Sequence, residues 1–251
     1  MKKTGLLTAV DVGTTKVCTI IAMMRDSNLE LLGHSTVPCN GVTKGNVEDQ
    51  QATTEAIRKS ITGAERNSGV SVQSVYVGVT GTHVGFQNRS DTLKWIGNHG
   101  VVTAEEIEKI PEAVASSTAT DNREVIHSLP MSYRVDNATE ITNPIGMHSN
   151  QIEVKTHVVT GDTSFISKLI EAVKKTGVTL ESLVLEPLAS GLAVLTPEER
   201  KTGVALVDIG GGTTDLAVFN QGRACYTSVI PVGGYQFTND ICHVYNTPYA
   251  A

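Results

Sequence analysis

Residues 9–16 read Ala-Val-Asp-Val-Gly-Thr-Thr-Lys and residues 206–215 read Leu-Val-Asp-Ile-Gly-Gly-Gly-Thr-Thr-Asp, so a segment near the start recurs near the end. Each copy is a short apolar strand, an Asp, a glycine turn, paired threonines and a second apolar strand. Such a repeat constrains the chain to two related half-domains that present the same turn to one cleft. Glycine lets the backbone of a turn come close to a ligand, and threonine adds a hydroxyl donor. One Gly-Thr turn by itself is an ordinary hairpin. Two at the same offset from an Asp suit a phosphate tail held from both sides by backbone donors and hydroxyls, with few cations needed. The candidate binding residues are Gly13, Thr14, Thr15 and Lys16 on the first turn, and Gly210, Gly211, Gly212, Thr213 and Thr214 on the second. Lys16 supplies one fixed positive charge, or is a solvated lysine at a strand end.

Asp11 and Asp208 fall at the ends of the strands that lead into the two turns. A carboxylate there is either a turn-former or, facing its equivalent across a phosphate site, an outer partner of hydrated Mg²⁺, which prefers oxygen ligands and keeps several waters. Asp215 reads as a turn residue or a brace for the others. Glu186 follows a strand and opens a helix. It either complements the helix N-terminus or orients the water that attacks a terminal phosphate. The seven histidines, among them His34, His83, His99, His127, His148 and His157, show no metal-ligand spacing and receive no role.

Between the two copies the pattern is that of an α/β chain. Strands are expected at 6–12, 17–24, 29–36 and 74–80, with a helix over 50–66. From about 83 to 157 the texture is more polar and carries the single tryptophan, Trp95. Thr103-Ala104-Glu105-Glu106 fits a capping box for a helix to about Ser117, which Pro111 is placed to kink. Strands at 125–133 and 151–158 follow. A helix over 163–176 ends at Gly177, then come a strand at 182–185, a helix from Leu188 to Leu195 ended by Thr196-Pro197, and strands at 204–209, 214–219 and 224–231. Gly233-Gly234 reads as a turn, with little structure expected after it. The expected domains are residues 1–82 with 159–202 as a first lobe, 83–158 as an inserted subdomain and 203–251 as part of a second lobe.

Composition narrows the function. With 251 residues and 40% hydrophobic content the chain can build a sizeable core. A net charge of −6 and a pI near 5.6 argue against a nucleic-acid or anionic-membrane surface. Cys18, Cys39, Cys225 and Cys242 form no C-x-x-C pair and read as reduced thiols of a cytoplasmic protein. The opening Met1-Lys2-Lys3 mimics a signal peptide, but Asp11 breaks the apolar run too early. No apolar stretch approaches the roughly 20 residues of a membrane helix.

The order Asp-x-Gly-Thr-Thr-Lys, Glu-Pro-x-Ala-Ser, Asp-x-Gly-Gly-Gly-Thr-Thr-Asp resembles the actin, Hsp70 and sugar-kinase ATPase superfamily. More narrowly the chain resembles the FtsA family of actin-like bacterial cell division proteins. The stretches that carry this are Gly41-Val42-Thr43-Lys44-Gly45 with Val47 and Asp49, Val79-Thr80-Gly81-Thr82-His83, Asn143-Pro144-Ile145-Gly146, Val232-Gly233-Gly234 and Thr238-Asn239-Asp240-Ile241. The resemblance implies an actin-like (ribonuclease H-like) ATPase fold with an inserted α+β subdomain. It implies ATP and Mg as cofactors, Gly13 to Lys16 and Gly210 to Thr214 as the phosphate loops, Asp11 and Asp208 as carboxylates linked to magnesium through water, and Glu186 as the catalytic-water residue. It also implies self-assembly, contact with FtsZ and other division proteins, and a cytoplasmic location at the inner face of the membrane through a C-terminal tail. Chains of that family run longer than this one, so the second lobe is expected to be incomplete, to lack the adenosine-side half, and to leave an edge and a face uncovered. Two other readings remain beside it: a nucleotide-free interaction module that works through the inserted subdomain, and a small-molecule kinase of the same superfamily.

Overall fold

The computed structural model of the chain describes residues 5–26, 28–94, 100–136, 139–149 and 151–249. Met1 to Lys3, Trp95 and His99, together with Ala250 and Ala251 at the end of the expected second lobe, lie outside the described residues.

The chain opens with an antiparallel meander, β1 (Gly5–Val12), β2 (Lys16–Arg25) and β3 (Asn28–Pro38), followed by the two-residue strands β4 (Val42–Thr43) and β5 (Asn46–Val47), helix α1 (Gln50–Ser68) and β6 (Ser74–Val79). Period-2 alternation puts Val10, Val12, Val17, Ile21, Val75 and Val77 on one buried face of this sheet. Against it α1 lays Ala56, Ile57, Ile61 and Ala64. The helix starts where the Asp49 carboxylate accepts from Ala52 N–H at 2.9 Å. It stops at Gly69, whose φ of +71° is a left-handed conformation suited to glycine.

The inserted region consists of β7 (Gly85–Leu93), α2 (Ala104–Thr118), β8 (Arg123–Val135) and β9 (Ile152–Asp162). Its antiparallel sheet has the order β7-β9-β8. Ile110 and Val114 of α2 share a core with Tyr133, Ile152, Val154 and Val158. The capping box at Thr103 and Glu106 is present, and α2 runs through Pro111. Strand β7 is new relative to the sequence reading. Its polar run Gln87-Asn88-Arg89-Ser90-Asp91-Thr92 has no apolar alternation, and unbroken pairing with β9 holds it in place.

The first lobe resumes with α3 (Thr163–Lys174), β10 (Thr179–Leu185) and α4 (Glu186–Val194). Strand β10 completes a five-stranded sheet of order β10-β6-β1-β2-β3, with β10, β6 and β1 parallel. A short helix, α5 (Pro197–Thr202), corrects the expectation that the structure merely breaks at Thr196-Pro197. Thr196 and Glu199 form a second capping box there.

The second lobe repeats the opening meander as β11 (Val204–Ile209), β12 (Thr214–Asn220) and β13 (Arg223–Ile230). A twelve-residue helix, α6 (Gly234–Tyr245), then follows, where the sequence reading expected little beyond a turn. Leu206, Ala217, Phe219 and Ala224 of this lobe share one core with Leu185 and Leu188 of the first lobe and Val159, Phe86 and Leu129 of the insert. Val207, Ile209 and Ile230 of the sheet and Phe237, Ile241 and Val244 of α6 are exposed.

Candidate functional site

The two copied turns have the same backbone geometry. In the first, Gly13 N–H donates to the Lys16 carbonyl at 3.0 Å. In the second, Gly210 N–H donates to the Thr213 carbonyl at 2.9 Å. Their tips meet. A Cβ on Gly211 would stand 2.6 Å from Thr15 Cγ2, and one on Gly212 would stand 2.5 Å from Thr14 Oγ1. Close approach, not left-handed φ, is what requires glycine here. The second loop is held from behind by α6: Gly234 N–H and Tyr235 N–H donate to the carbonyls of Gly210 and Gly211 at 2.9 and 2.8 Å.

On one side of the touching tips lies a cavity of about 440 Å³. Its walls bring together Asp11, Gly13, Thr14, Thr15, Lys16, Glu186, Asp208, Gly210, Gly211, Gly212 and Thr213, residues separated by most of the chain. Of the sequence candidates only Thr214 is left out of this wall. Its hydroxyl donates to the Val232 carbonyl at 2.7 Å. A second cavity, about 600 Å³, shares Thr14, Thr15, Gly211 and Gly212 as a wall and continues past Lys44, Gly233 and Tyr235.

Four carboxylates and one lysine set the electrostatics of the first cavity. Asp11, an exposed residue, opens into it from near the end of β1 with its carboxyl set among the cavity walls. That enclosure raises its carboxyl above the usual range, Lys16 opposes the rise and Asp208 adds to it. Asp208 accepts from Ser190 Oγ at 2.6 Å. Asp215 is buried, and desolvation raises it, although the hydroxyls of Thr80 and Thr213 donate to it and pull the other way. Glu186 is raised well above an ordinary glutamate, by enclosure first and then by Asp11, Asp215 and Asp208. Among the described residues its Oε1 has no hydrogen-bond partner. Four carboxylates facing one lysine, with one buried oxygen of Glu186 unsatisfied among the described residues, favour a further cation and a hydrogen-bond donor. Hydrated Mg²⁺ with a phosphate group answers both needs. Among the described residues no three His, Cys, Asp or Glu side chains are grouped to ligate a metal directly.

Local structure explains how these groups converge. β1 and β6 run parallel, so their C-terminal ends bring Asp11 and Thr80 to the same edge of the sheet. Cross-strand pairing sets Asp208 opposite Asp215. Glu186 and Ser190 lie four residues apart on one face of α4. Sequence reasoning passed over Thr80, Ser190 and His127, whose Nε2 accepts from Leu185 N–H at 2.9 Å. Ser190 was legible, because it closes the Glu-Pro-x-Ala-Ser stretch one helical turn after Glu186.

Comparisons with known proteins agree with this architecture. Residues 81–160 match the family described as "SHS2 domain inserted in FTSA", and residues 205–251 match "Cell division protein FtsA". Together the two matches take in about half the chain. Cell division protein FtsA of Pseudomonas aeruginosa is 34% identical over 97% of this chain and 58% of its own length. The corresponding proteins of Bacillus subtilis and Escherichia coli are 32% and 31% identical over 96% and 97% of the chain. The chain belongs to the FtsA family. It spans 55–58% of the length of these three FtsA relatives. Among solved structures, one of the PilM-PilN type IV pilus biogenesis complex superposes with a TM-score of 0.70 at 15% identity, over 97% of this chain and 67% of that one. The ethanolamine utilization protein EutJ of Carboxydothermus hydrogenoformans gives 0.56 at 15% identity, over 98% and 59%. The fold is the actin-like ATPase fold, and the FtsA-type insertion corresponds to the sheet β7-β9-β8 with α2. No helix among the described residues is long and apolar enough to cross a membrane.

Proposed function

We propose that this FtsA-family chain binds Mg-ATP between its two Gly-Thr loops and uses the nucleotide as an assembly switch in cell division. The observation that carries the reading is the pair of matched turns meeting at a cavity that also gathers Asp11, Asp208 and Glu186. Gly13, Thr14, Thr15 and Gly210 to Thr213 would present backbone N–H groups and hydroxyls to the β- and γ-phosphates, with Lys16 as the fixed cation. Asp11 and Asp208 would hold the waters of Mg²⁺, which supplies charge neutralisation at the phosphates. Glu186, with its unpartnered oxygen at the cavity wall, would orient a water at the terminal phosphate. The enzyme activity expected is a weak ATPase at most.

By its family, the protein would self-assemble, link FtsZ filaments to the inner face of the cell membrane from the cytoplasm and recruit other division proteins. The inserted subdomain would serve the contacts between protomers and with division proteins. Closure of the lobes on nucleotide would set the geometry of those contacts. Sedimentation of the purified chain tests the switch. Pelleting that rises with Mg-ATP and is lost on chelation supports it. Pelleting indifferent to nucleotide in the wild type and in Asp11→Asn alike would remove nucleotide from the role.

A further inference from the structure

The inserted subdomain touches both lobes through two histidines on neighbouring strands. His127 of β8 accepts from Leu185 N–H, the last residue of β10. Leu185 is fully buried and is also the N-cap of α4, where no side chain of the helix itself serves as a cap. The next residue is Glu186. On β9, fully buried His157 donates from Nδ1 to Asn88 Oδ1 at 2.6 Å and accepts at Nε2 from the Thr227 hydroxyl of β13 at 3.1 Å. Asn88 donates in turn to the Cys225 carbonyl at 2.9 Å, which fixes its amide orientation. Phe86 packs edge-on to Tyr226 beside this bridge. Arg223 of β13 donates to the carbonyls of Pro130 and Thr142 in the insert at 2.6 and 2.8 Å.

A backbone partner fixes the form of the His127 ring, and burial keeps His157 neutral. A backbone N–H can only donate, so His127 Nε2 is bare and its proton sits on Nδ1. His157 is likewise neutral, with Nε2 bare. Burial holds both imidazoles below their usual range, His157 at about 4. The apolar cluster shared by the insert, Leu185, Leu188 and the second lobe surrounds this junction.

We infer that His127 is a positioning residue for Glu186: through its bond to Leu185 the inserted subdomain fixes the strand end from which Glu186 enters the phosphate cavity, while His157 ties the same subdomain to the second lobe. The inference rests on the proposed nucleotide role of Glu186. A load on the insert, such as a protomer or partner docking there, would then reach the hydrolytic position by one strand end and one peptide group. The sequence gives no hint of this link, because neither histidine has a motif.

Two variants of the full chain test it. His127→Leu removes the acceptor while keeping an apolar volume. His127→Gln places an amide oxygen close to the Nε2 position. In His127→Leu, amide exchange at Leu185 should quicken at least tenfold with little change elsewhere in the five-stranded sheet, and single-turnover hydrolysis of Mg-ATP should slow about tenfold with affinity within twofold. His127→Gln should restore both. Unchanged exchange in His127→Leu overturns the inference, as does a matched loss of affinity and turnover, which marks general damage to the lobe. Failure of the nucleotide reading shows separately, as absent Mg-ATP binding in the wild type. Exchange at Leu185 and its rescue by glutamine then decide the structural link alone, and the link to hydrolysis falls.

Discussion

At the scale of single residues, the chemistry of the cavity follows from one carboxyl oxygen, Glu186 Oε1, that has no hydrogen-bond partner among the described residues. Glu186 sits among Asp11, Asp208 and Asp215, and enclosure and mutual repulsion push its carboxyl toward the protonated form. A cation and a phosphate entering beside it change that balance. Glu186→Gln keeps the shape and removes the charge, so turnover of Mg-ATP should fall about a hundredfold while affinity holds or improves. Single-turnover kinetics beside a binding titration measure both. Much of the site was legible at this scale. Asp11 and Asp208 stood at equal offsets from equivalent glycines, and a carboxylate-glycine-threonine order has few uses when it occurs twice. Thr80 was not legible, because its hydrogen bond to Asp215 depends on parallel pairing of β6 with β1, which no local pattern encodes. His127 and His157 were passed over for a similar reason: their partners are a backbone amide and a threonine far away in the chain.

At the scale of elements, strands with alternating valines and helices with caps were readable, and polar or short elements were not. Strand β7 exists because β9 offers it a ladder, not because of its own residues. Helix α5 is too short to show a period, although its capping box stood in the sequence. Helix α6 spaces Phe237, Ile241 and Val244 at helical intervals, but the Gly233-Gly234 turn was read as the last feature and this spacing was not used. Two predictions belong here. Thr103→Ala removes the hydroxyl that accepts from Glu106 N–H and donates to its carboxylate. It should cost about 1 kcal/mol in denaturant unfolding, the usual worth of an N-cap. The junction between insert and second lobe should weaken in acid. His157 faces Asn88, Thr227, Phe86 and the neighbouring His127, and burial holds its pKa at about 4 against 6.5 unfolded. The unfolded chain therefore takes up the proton first. Stability from this group is complete above about pH 6.5, falls as pH drops toward 4 and is lost below it. Denaturant midpoints for the wild type and His157→Gln between pH 7.5 and 4 should converge as the pH falls.

At the scale of the molecule, two meanders of the same topology face one another, and a third unit is wedged against both. The duplicated segment predicted the first fact. The second was invisible in the sequence, since the shared core draws Phe86, Val159, Leu188 and Phe219 from regions that look like separate domains. The insert is attached to each of the two lobes. The loop tips already touch through Thr14, Thr15, Gly211 and Gly212. Both cavities are walled by these tips, so added bulk there should be felt at once in affinity. The direct test is calorimetric titration of Mg-ATP into the wild-type chain and into Gly212→Val at equal concentration. Saturable one-to-one binding in the wild type, abolished by chelating Mg²⁺ and weakened at least tenfold in Gly212→Val, is the predicted result. No saturable heat in the wild type at millimolar nucleotide, or equal affinity in the two proteins, would contradict a phosphate site between the loops.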